Sequence, residues 1–379
     1  MTLTFFSNYM NHHQRPLCDA LYQNLGSNFY FVATEEMSEK RKQLGYDNLE
    51  NDRPYVIKTY DPQDAKKNIK FAQRLVEESD VIIFGSAPEE YLEQRLRQDK
   101  LTFRYHERYF KEGRWRILDP RVFISHYKKD FRYRKKNLFM LCASAYTAPD
   151  CRFIHCYRNK AFKWGYFPPV KQYDSIEEMI ERKHPVSILW VARFIKLKHP
   201  EAPLYVAKQL KKAGYSFEMN LIGRGELEDQ IKETIRKEDL QDQVKLLGAM
   251  SPEAVREHME RSEIFLFTSD RNEGWGAVLN ESMNSGCAVV ANRAIGSVPF
   301  LLKDGENGMI YNGRIDDLYK KVKFLLDNDE KRKRMSVVAY QTLAKTWNAE
   351  VAVERLFALI EKLKKGEKTS FADGPCSMA

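Results

Sequence analysis

Two cations, two carboxylates and several glycines in the second half of this 379-residue chain have the types and spacing to hold a phosphorylated ligand. Arg193 and Lys198 follow the apolar run Ile188-Leu-Trp-Val191, and two charges this close can share one anion. Gly223 and Gly225 follow Asn220-Leu-Ile222, where backbone lacking a Cβ lets a ligand come close. Glu273-Gly274-Trp275-Gly276 leads into a helical pattern over Ala277–Ser285, stopped by Gly286. A helix N-terminus preceded by glycines offers free N–H groups and a positive dipole end to an anion. Glu281 falls about two turns inside that helix, beside Leu279, Ser282 and Met283. A carboxylate in so short and apolar a helix needs a polar partner, and sugar hydroxyls are suitable donors. The plainer alternatives are an exposed helix carboxylate for Glu281 and surface cations for Arg193 and Lys198.

The elements that must position these residues alternate in kind. Leu3–Ser7, Asn28–Val32, Val81–Phe84, Ser187–Val191, Glu218–Ile222, Val244–Leu247, Ile264–Thr268 and Ala288–Ala291 read as strands, several of them near-continuous apolar runs of the sort buried on both faces of a parallel sheet. Amphipathic stretches such as Pro203–Ala213, Glu226–Lys237, Pro252–Arg261 and Leu318–Leu326 lie between them. This predicts an α/β protein of βαβ units in doubly wound sheets, with ligands bound beyond the carboxyl ends of the strands. Pro168-Pro169 opens a polar stretch that divides the chain. The expected organisation is a domain over 1–170, a linker over 171–185, a second domain over 186–350, and a C-terminal helix and tail over 351–379, with the two domains facing a central cleft.

As an ordered set these residues resemble family four of the retaining glycosyltransferases (glycosyl transferases group 1). Glu273 to Glu281 resembles the family's E-x7-E signature, and Arg193-x4-Lys198 its diphosphate-binding pair. Gly223-Arg-Gly225, Leu246-Leu-Gly248, Asn280 to Val290, Gly305-Glu-Asn-Gly308 and Thr346-Trp347 extend the likeness over about 186–350. Ala192, Cys287-Ala288 and Phe300 depart from the family's usual residues. The resemblance implies a GT-B fold: two Rossmann-like domains, with the C-terminal helix crossing back to the first. It also implies transfer, with retention, of a hexose-type sugar from a UDP- or GDP-sugar. Arg193 and Lys198 would then neutralise the diphosphate, Glu281 would bind the ribose, and Glu273 a hydroxyl of the sugar. Gly223, Gly225, Gly274, Trp275 and Gly276 would line the nucleotide-sugar site. No metal and no other cofactor is implied. A sugar-nucleotide or polyanion binding module of the same fold is the alternative.

The first half offers weaker signals. His13 and Gln14 follow the first strand, and Gly85 and Ser86 follow the run Val81–Phe84. Arg104 and His106 form a polar cluster further on, so His106 or His13 is a candidate contact for donor sugar or acceptor. Of the chain's net charge of +9, residues 95–139 carry the excess, with 15 Lys/Arg against 5 Asp/Glu. Phe103, Tyr105, Tyr109, Phe110, Trp115, Phe123, Tyr127, Phe131 and Tyr133 are interleaved there. That pattern suits an anionic membrane surface, a nucleic acid, or a solvated face whose aromatics turn inward; nucleic acid is not the expected partner. The acceptor is expected to be a lipid-linked or polysaccharide precursor, and the location cytoplasmic, peripheral on the inner face of the membrane. The sequence has no apolar run long enough for a bilayer span and no signal-peptide pattern. Six cysteines contain no C-x-x-C pair, and Cys151, His155 and Cys156 fall short of a zinc set. Asp327-Asn-Asp329 reads as a helix-ending turn, and Cys376-Ser-Met-Ala379 lacks the aliphatic residue of a prenylation box. Neither a G-x-x-x-x-G-K-[ST] loop nor a G-x-S-x-G elbow occurs.

Overall fold

A computed structural model describes residues 1–38, 50, 51 and 53–379, and the chain divides into two compact units. Unit 1 comprises Met1–Pro169 with Ala349–Ala379, and unit 2 comprises Val170–Asn348.

Unit 1 is built on strands β1 (Leu3–Ser7), β2 (Phe29–Ala33), β3 (Val56–Lys58), β4 (Val81–Phe84), β5 (Thr102–His106), β6 (Leu138–Cys142) and β7 (Ala161–Lys163). They form one sheet in the order β3-β2-β1-β4-β5-β6-β7, with every pairing parallel. β1, β4 and β6 are buried along their whole length. Apolar strands of this kind need helices on both faces, which a sheet of crossover connections supplies. The C-terminal helix Ala349–Lys364 packs in this unit against the helix Arg15–Leu25. The tail beyond it caps the sheet edge: Met378 bridges antiparallel to Phe162, and Cys376 is fully buried.

Unit 2 repeats the plan with β8 (His184–Val191), β9 (Glu218–Ile222), β10 (Val244–Gly248), β11 (Ser262–Phe267), β12 (Ala288–Asn292) and β13 (Met309–Tyr311), in the parallel order β10-β9-β8-β11-β12-β13. Its core is centred on Ile188, Trp190, Leu221, Ile264, Leu266 and Val290. In each sheet the strand order reverses beside the first strand, between β1 and β4 and between β8 and β11. Such a reversal opens a crevice at the strands' carboxyl ends.

The stretch expected as a linker is folded into unit 2. Ser175 caps the helix Ile176–Glu181, accepting from the Glu178 N–H at 3.1 Å. Asn284 fastens the preceding segment, accepting from the Lys171 N–H at 2.8 Å and donating to the Lys171 carbonyl at 3.0 Å. Lys183 is only 5% exposed, and its ammonium donates to the carbonyls of Met259 (2.9 Å), Glu260 (3.0 Å) and Ser285 (2.9 Å). Burial lowers its pKa. Those carbonyls close the helices Pro252–Arg261 and Val278–Asn284, so one cation serves two helix C-termini. Lys183→Met should therefore lower the unfolding free energy by about 3 kcal/mol, since three buried acceptors lose a charged donor. Urea denaturation checks this, and a loss below about 1 kcal/mol would contradict it.

Candidate functional site

The carboxyl end of β8 runs into a loop that is stitched to the turn after β9. The Ala192 N–H donates to Ile222 (3.1 Å), Phe194 N–H to Arg224 (2.9 Å), and Leu227 N–H to Phe194 (3.0 Å). This contact requires Gly223 and Gly225: a Cβ at Gly223 would lie 1.9 Å from the Ala192 carbonyl oxygen, and one at Gly225 2.5 Å from that of Phe194. The side on which a Cβ would stand is thus filled by the neighbouring loop's own backbone, while Gly223 is partly exposed and Gly225 exposed. Their effect is to set the position of Arg193, whose side chain is exposed.

The far end of the same loop is tied to β11. Buried Thr268 donates its hydroxyl to the Lys198 carbonyl at 2.6 Å and accepts the Trp190 ring N–H at 2.8 Å. The Asp270 N–H donates to the Leu197 carbonyl at 2.9 Å. His199 adopts the left-handed conformation (φ 52°) and sits between Glu201 (2.7 Å) and Asp270 (3.5 Å). The hydrogen bond to Glu201 raises its pKa, helped by the charges of both carboxylates and opposed by partial burial. Sequence spacing gave no hint of this brace, because its partners lie on different loops.

With both ends fixed, the Lys198 ammonium meets the Glu273 carboxylate in a direct ion pair, with side-chain exposures of 15% and 14%. A cation from the β8 loop and a carboxylate from the β11 loop thus come together at the crevice. Gly276 takes φ +83° with the Phe267 ring directly beneath it. Trp275, expected to line the ligand site, is corrected: its side chain is fully buried against Phe300 and Trp347, and its ring N–H donates to Asn280 at 2.9 Å. Only the backbone of the Gly274-Trp275-Gly276 stretch is left to meet a ligand.

Glu281 is partly buried on the helix Val278–Asn284. Burial pushes its carboxyl up to about 7, with only the Arg256 charge pulling it down. Such a group favours a ligand that brings hydrogen-bond donors. Asp327 and Asp329 are held in ion pairs with Lys323, Arg332 and Lys333, flanking the turn between two helices.

In unit 1, a cavity of about 460 Å³ lies at the ends of β1, β4 and β5. It brings together Gly85, Ser86, Arg104 and His106. Arg104 lines it but is 4% exposed and forms paired bonds to Glu89 (2.9 and 3.0 Å), with Asp130 at 3.5 Å. It is a largely buried member of an ion-pair network in the cavity wall. Asp130 also accepts from Tyr109 (3.0 Å) and Tyr157 (2.8 Å). Burial works to raise its pKa, but the Arg104 charge, His126 and Tyr157 hold it below the usual value. His13 stacks on Tyr166 at 3.6 Å and is not part of the cavity wall. Gln14 is corrected too: it is buried, and its side-chain oxygen accepts from Asn11 at 3.0 and 3.2 Å. Glu89, His126 and Asp130 also line this cavity and went unread in the sequence; Tyr109 lines it as well, read only as one of the aromatics of the basic stretch. Among the described residues, no group of three His, Cys, Asp or Glu side chains is placed to hold a metal ion.

Two all-parallel sheets with this strand order define the GT-B type of α/β fold. The crystal structure of HepE from Anabaena in complex with UDP superposes with a TM-score of 0.68 at 15% identity, covering 96% of this chain and 100% of that one. Residues 174–342 match the family described as "Glycosyl transferases group 1". The amylovoran biosynthesis glycosyltransferase AmsK of Erwinia amylovora is 29% identical over 185 residues, 47% of this chain and 45% of that protein. An N-acetylgalactosamine-N,N'-diacetylbacillosaminyl-diphospho-undecaprenol 4-alpha-N-acetylgalactosaminyltransferase of Campylobacter jejuni is 31% identical over 127 residues, 33% of each chain. The matched stretches therefore span less than half the length of these curated relatives.

The Glu281 carboxyl gives a pH signature. Its folded pKa of about 7 lies above the ordinary 4.5, so the ionised form is penalised in the folded state. The penalty is absent below about pH 4.5, grows between 4.5 and 7, and is complete above 7, where it amounts to at most about 3 kcal/mol. Glu281→Gln should accordingly be more stable than the wild type at pH 8 and show no gain at pH 4.5. Urea unfolding at the two pH values is the check, and an equal gain at both would overturn the assignment.

Proposed function

We propose that the chain is a glycosyltransferase that moves a hexose-type sugar, with retention, from a UDP- or GDP-sugar to a lipid-linked or polysaccharide-precursor acceptor at the cytosolic membrane face. The Lys198–Glu273 pair at the β8/β11 crevice carries this reading. When the bond between sugar and diphosphate breaks, negative charge builds on the departing phosphate. Lys198 and Arg193 meet that charge as it develops, so they lower the barrier more than they tighten ground-state binding. Glu273 accepts a hydroxyl of the transferred sugar while holding Lys198 in aim. Glu281 accepts the ribose hydroxyls, which supply the donors its carboxylate lacks. Backbone N–H groups of the Gly274–Gly276 stretch face the phosphate or sugar. The cations on hand make a metal unnecessary in this scheme.

Three likenesses support the assignment: a group 1 family match, a fold shared with a UDP complex, and two relatives named for amylovoran biosynthesis and for an undecaprenol-linked acceptor. The cavity of unit 1, with His106 at its rim, is the proposed acceptor pocket.

Lys198→Ala should lower kcat by about 10²- to 10³-fold with a much smaller change in KM, as expected of a group that acts on developing charge. Steady-state kinetics with the nucleotide sugar that most raises the protein's melting temperature would measure this. Near-normal kcat in the variant would refute the role of Lys198. No turnover or hydrolysis of any nucleotide sugar by the wild type would refute the enzyme reading itself.

A further inference from the structure

A helix in a folded protein ordinarily buries one stripe of side chains. The helix Pro120–Lys129 has no buried residue. Phe123 is 57% exposed, Ile124 49% and Tyr127 50%, and on the short turn Arg114–Leu118 just before it Trp115 is 61% and Leu118 81% exposed. Most of the large exposed apolar side chains among the described residues thus crowd into thirteen consecutive positions. At about 100° per residue, Phe123, Ile124 and Tyr127 share one face of the helix. Ser125 and Lys129 fall on the opposite face and His126 between the two, and these three line the cavity of unit 1. One helix therefore presents apolar side chains outward and is the wall of a polar pocket inward.

We propose that the segment Arg114–Lys129 is a bilayer-docking element that inserts Trp115, Leu118, Phe123, Ile124 and Tyr127 shallowly into an anionic membrane and so holds the adjoining pocket at the lipid headgroup level. Charge selects the occupant. Arg121 (91% exposed) and Lys128 stand around the apolar face, and Arg132, Arg134 and Lys135 follow it. Apolar and aromatic side chains ringed by cations match an interface of acyl chains beneath anionic headgroups. Nucleic acid would answer the charge but not the aliphatic Leu118 and Ile124. No helix among the described residues is long and apolar enough to cross a membrane, so attachment by this element would be lateral. For its purpose the inference rests on the lipid-borne acceptor proposed above: a headgroup anchored in the same bilayer would reach the pocket along the helix without leaving the membrane.

The chain carries its own reporter. Trp164, Trp190, Trp275 and Trp347 are at most 2% exposed, which leaves Trp115 as the tryptophan able to sense lipid. The full chain is mixed with phosphatidylcholine vesicles with and without phosphatidylglycerol, some carrying brominated acyl chains, at low and high salt. Expected is sedimentation with the anionic vesicles, quenching by brominated lipid that disappears in Trp115→Phe, and a residue of binding that survives salt. Tenfold or greater weakening is expected in the triple variant Phe123→Ser/Ile124→Ser/Tyr127→Ser, with turnover of a water-soluble acceptor analogue unchanged. Arg121→Glu/Lys128→Glu should weaken binding chiefly at low salt. Equal binding to neutral vesicles, no bromine quenching, or unaltered binding by the triple variant would overturn the proposal. So would a wild-type dimer in sedimentation velocity that the triple variant converts to a monomer. Wild-type docking without turnover of any nucleotide sugar would uphold the proposal while removing the transferase reading.

Discussion

The ion pair between Lys198 and Glu273 is the contact on which the proposed donor site depends. Its two members come from loops at the ends of adjacent strands, β8 and β11, where the sheet order reverses. Neither loop could place its charge alone. One is zipped to the β9 turn by backbone bonds that only Gly223 and Gly225 permit, and Thr268 and Asp270 anchor its other end. The second is set by a buried tryptophan and a glycine at positive φ. A mostly enclosed pair of opposite charges strengthens its own interaction and any it makes with a ligand. Pre-alignment of this kind leaves little reorganisation for the moment at which phosphate charge develops.

Much of this could be read from the chain because it is local in sequence. Lys198, Glu273 and Glu281 lie at or just beyond strand ends or early in the following helix, and apolar runs such as Val81–Phe84 and Ala288–Asn292 announce the strands that carry them. β5 escaped because Thr102-Phe-Arg-Tyr-His106 mixes polar and aromatic residues inside a basic stretch. β3, β7 and β13 are three residues each, too short to impose a period. Trp275 was misread because its direction follows from the positive φ of Gly276 and from Phe300 and Trp347, all decided by folding. The roles of Arg104 and Lys183 depend on partners up to 102 residues away, which no local pattern reveals.

Charge counting marked 95–139 as unusual, and the fold sorts its aromatics into two sets. Phe103, Phe110 and Tyr133 turn into unit 1, as a solvated face would have them. Trp115, Phe123 and Tyr127 turn out. The reading of a solvated face whose aromatics turn inward therefore describes only the first of these sets. The buried set holds β5 and its cavity in place, and the exposed set is left with no protein to cover it among the described residues.

The central claim is that the cations of the β8 loop act on the terminal phosphate of a nucleotide diphosphate. Calorimetric titration of UDP against UMP, and of GDP against GMP, isolates that phosphate in the wild type and in Arg193→Ala/Lys198→Ala. The prediction is that one diphosphate binds at least tenfold more tightly than its monophosphate, and that the double variant erases most of this difference while holding the monophosphate as before. A wild type indifferent to the second phosphate, or a double variant that keeps the full difference, would contradict it.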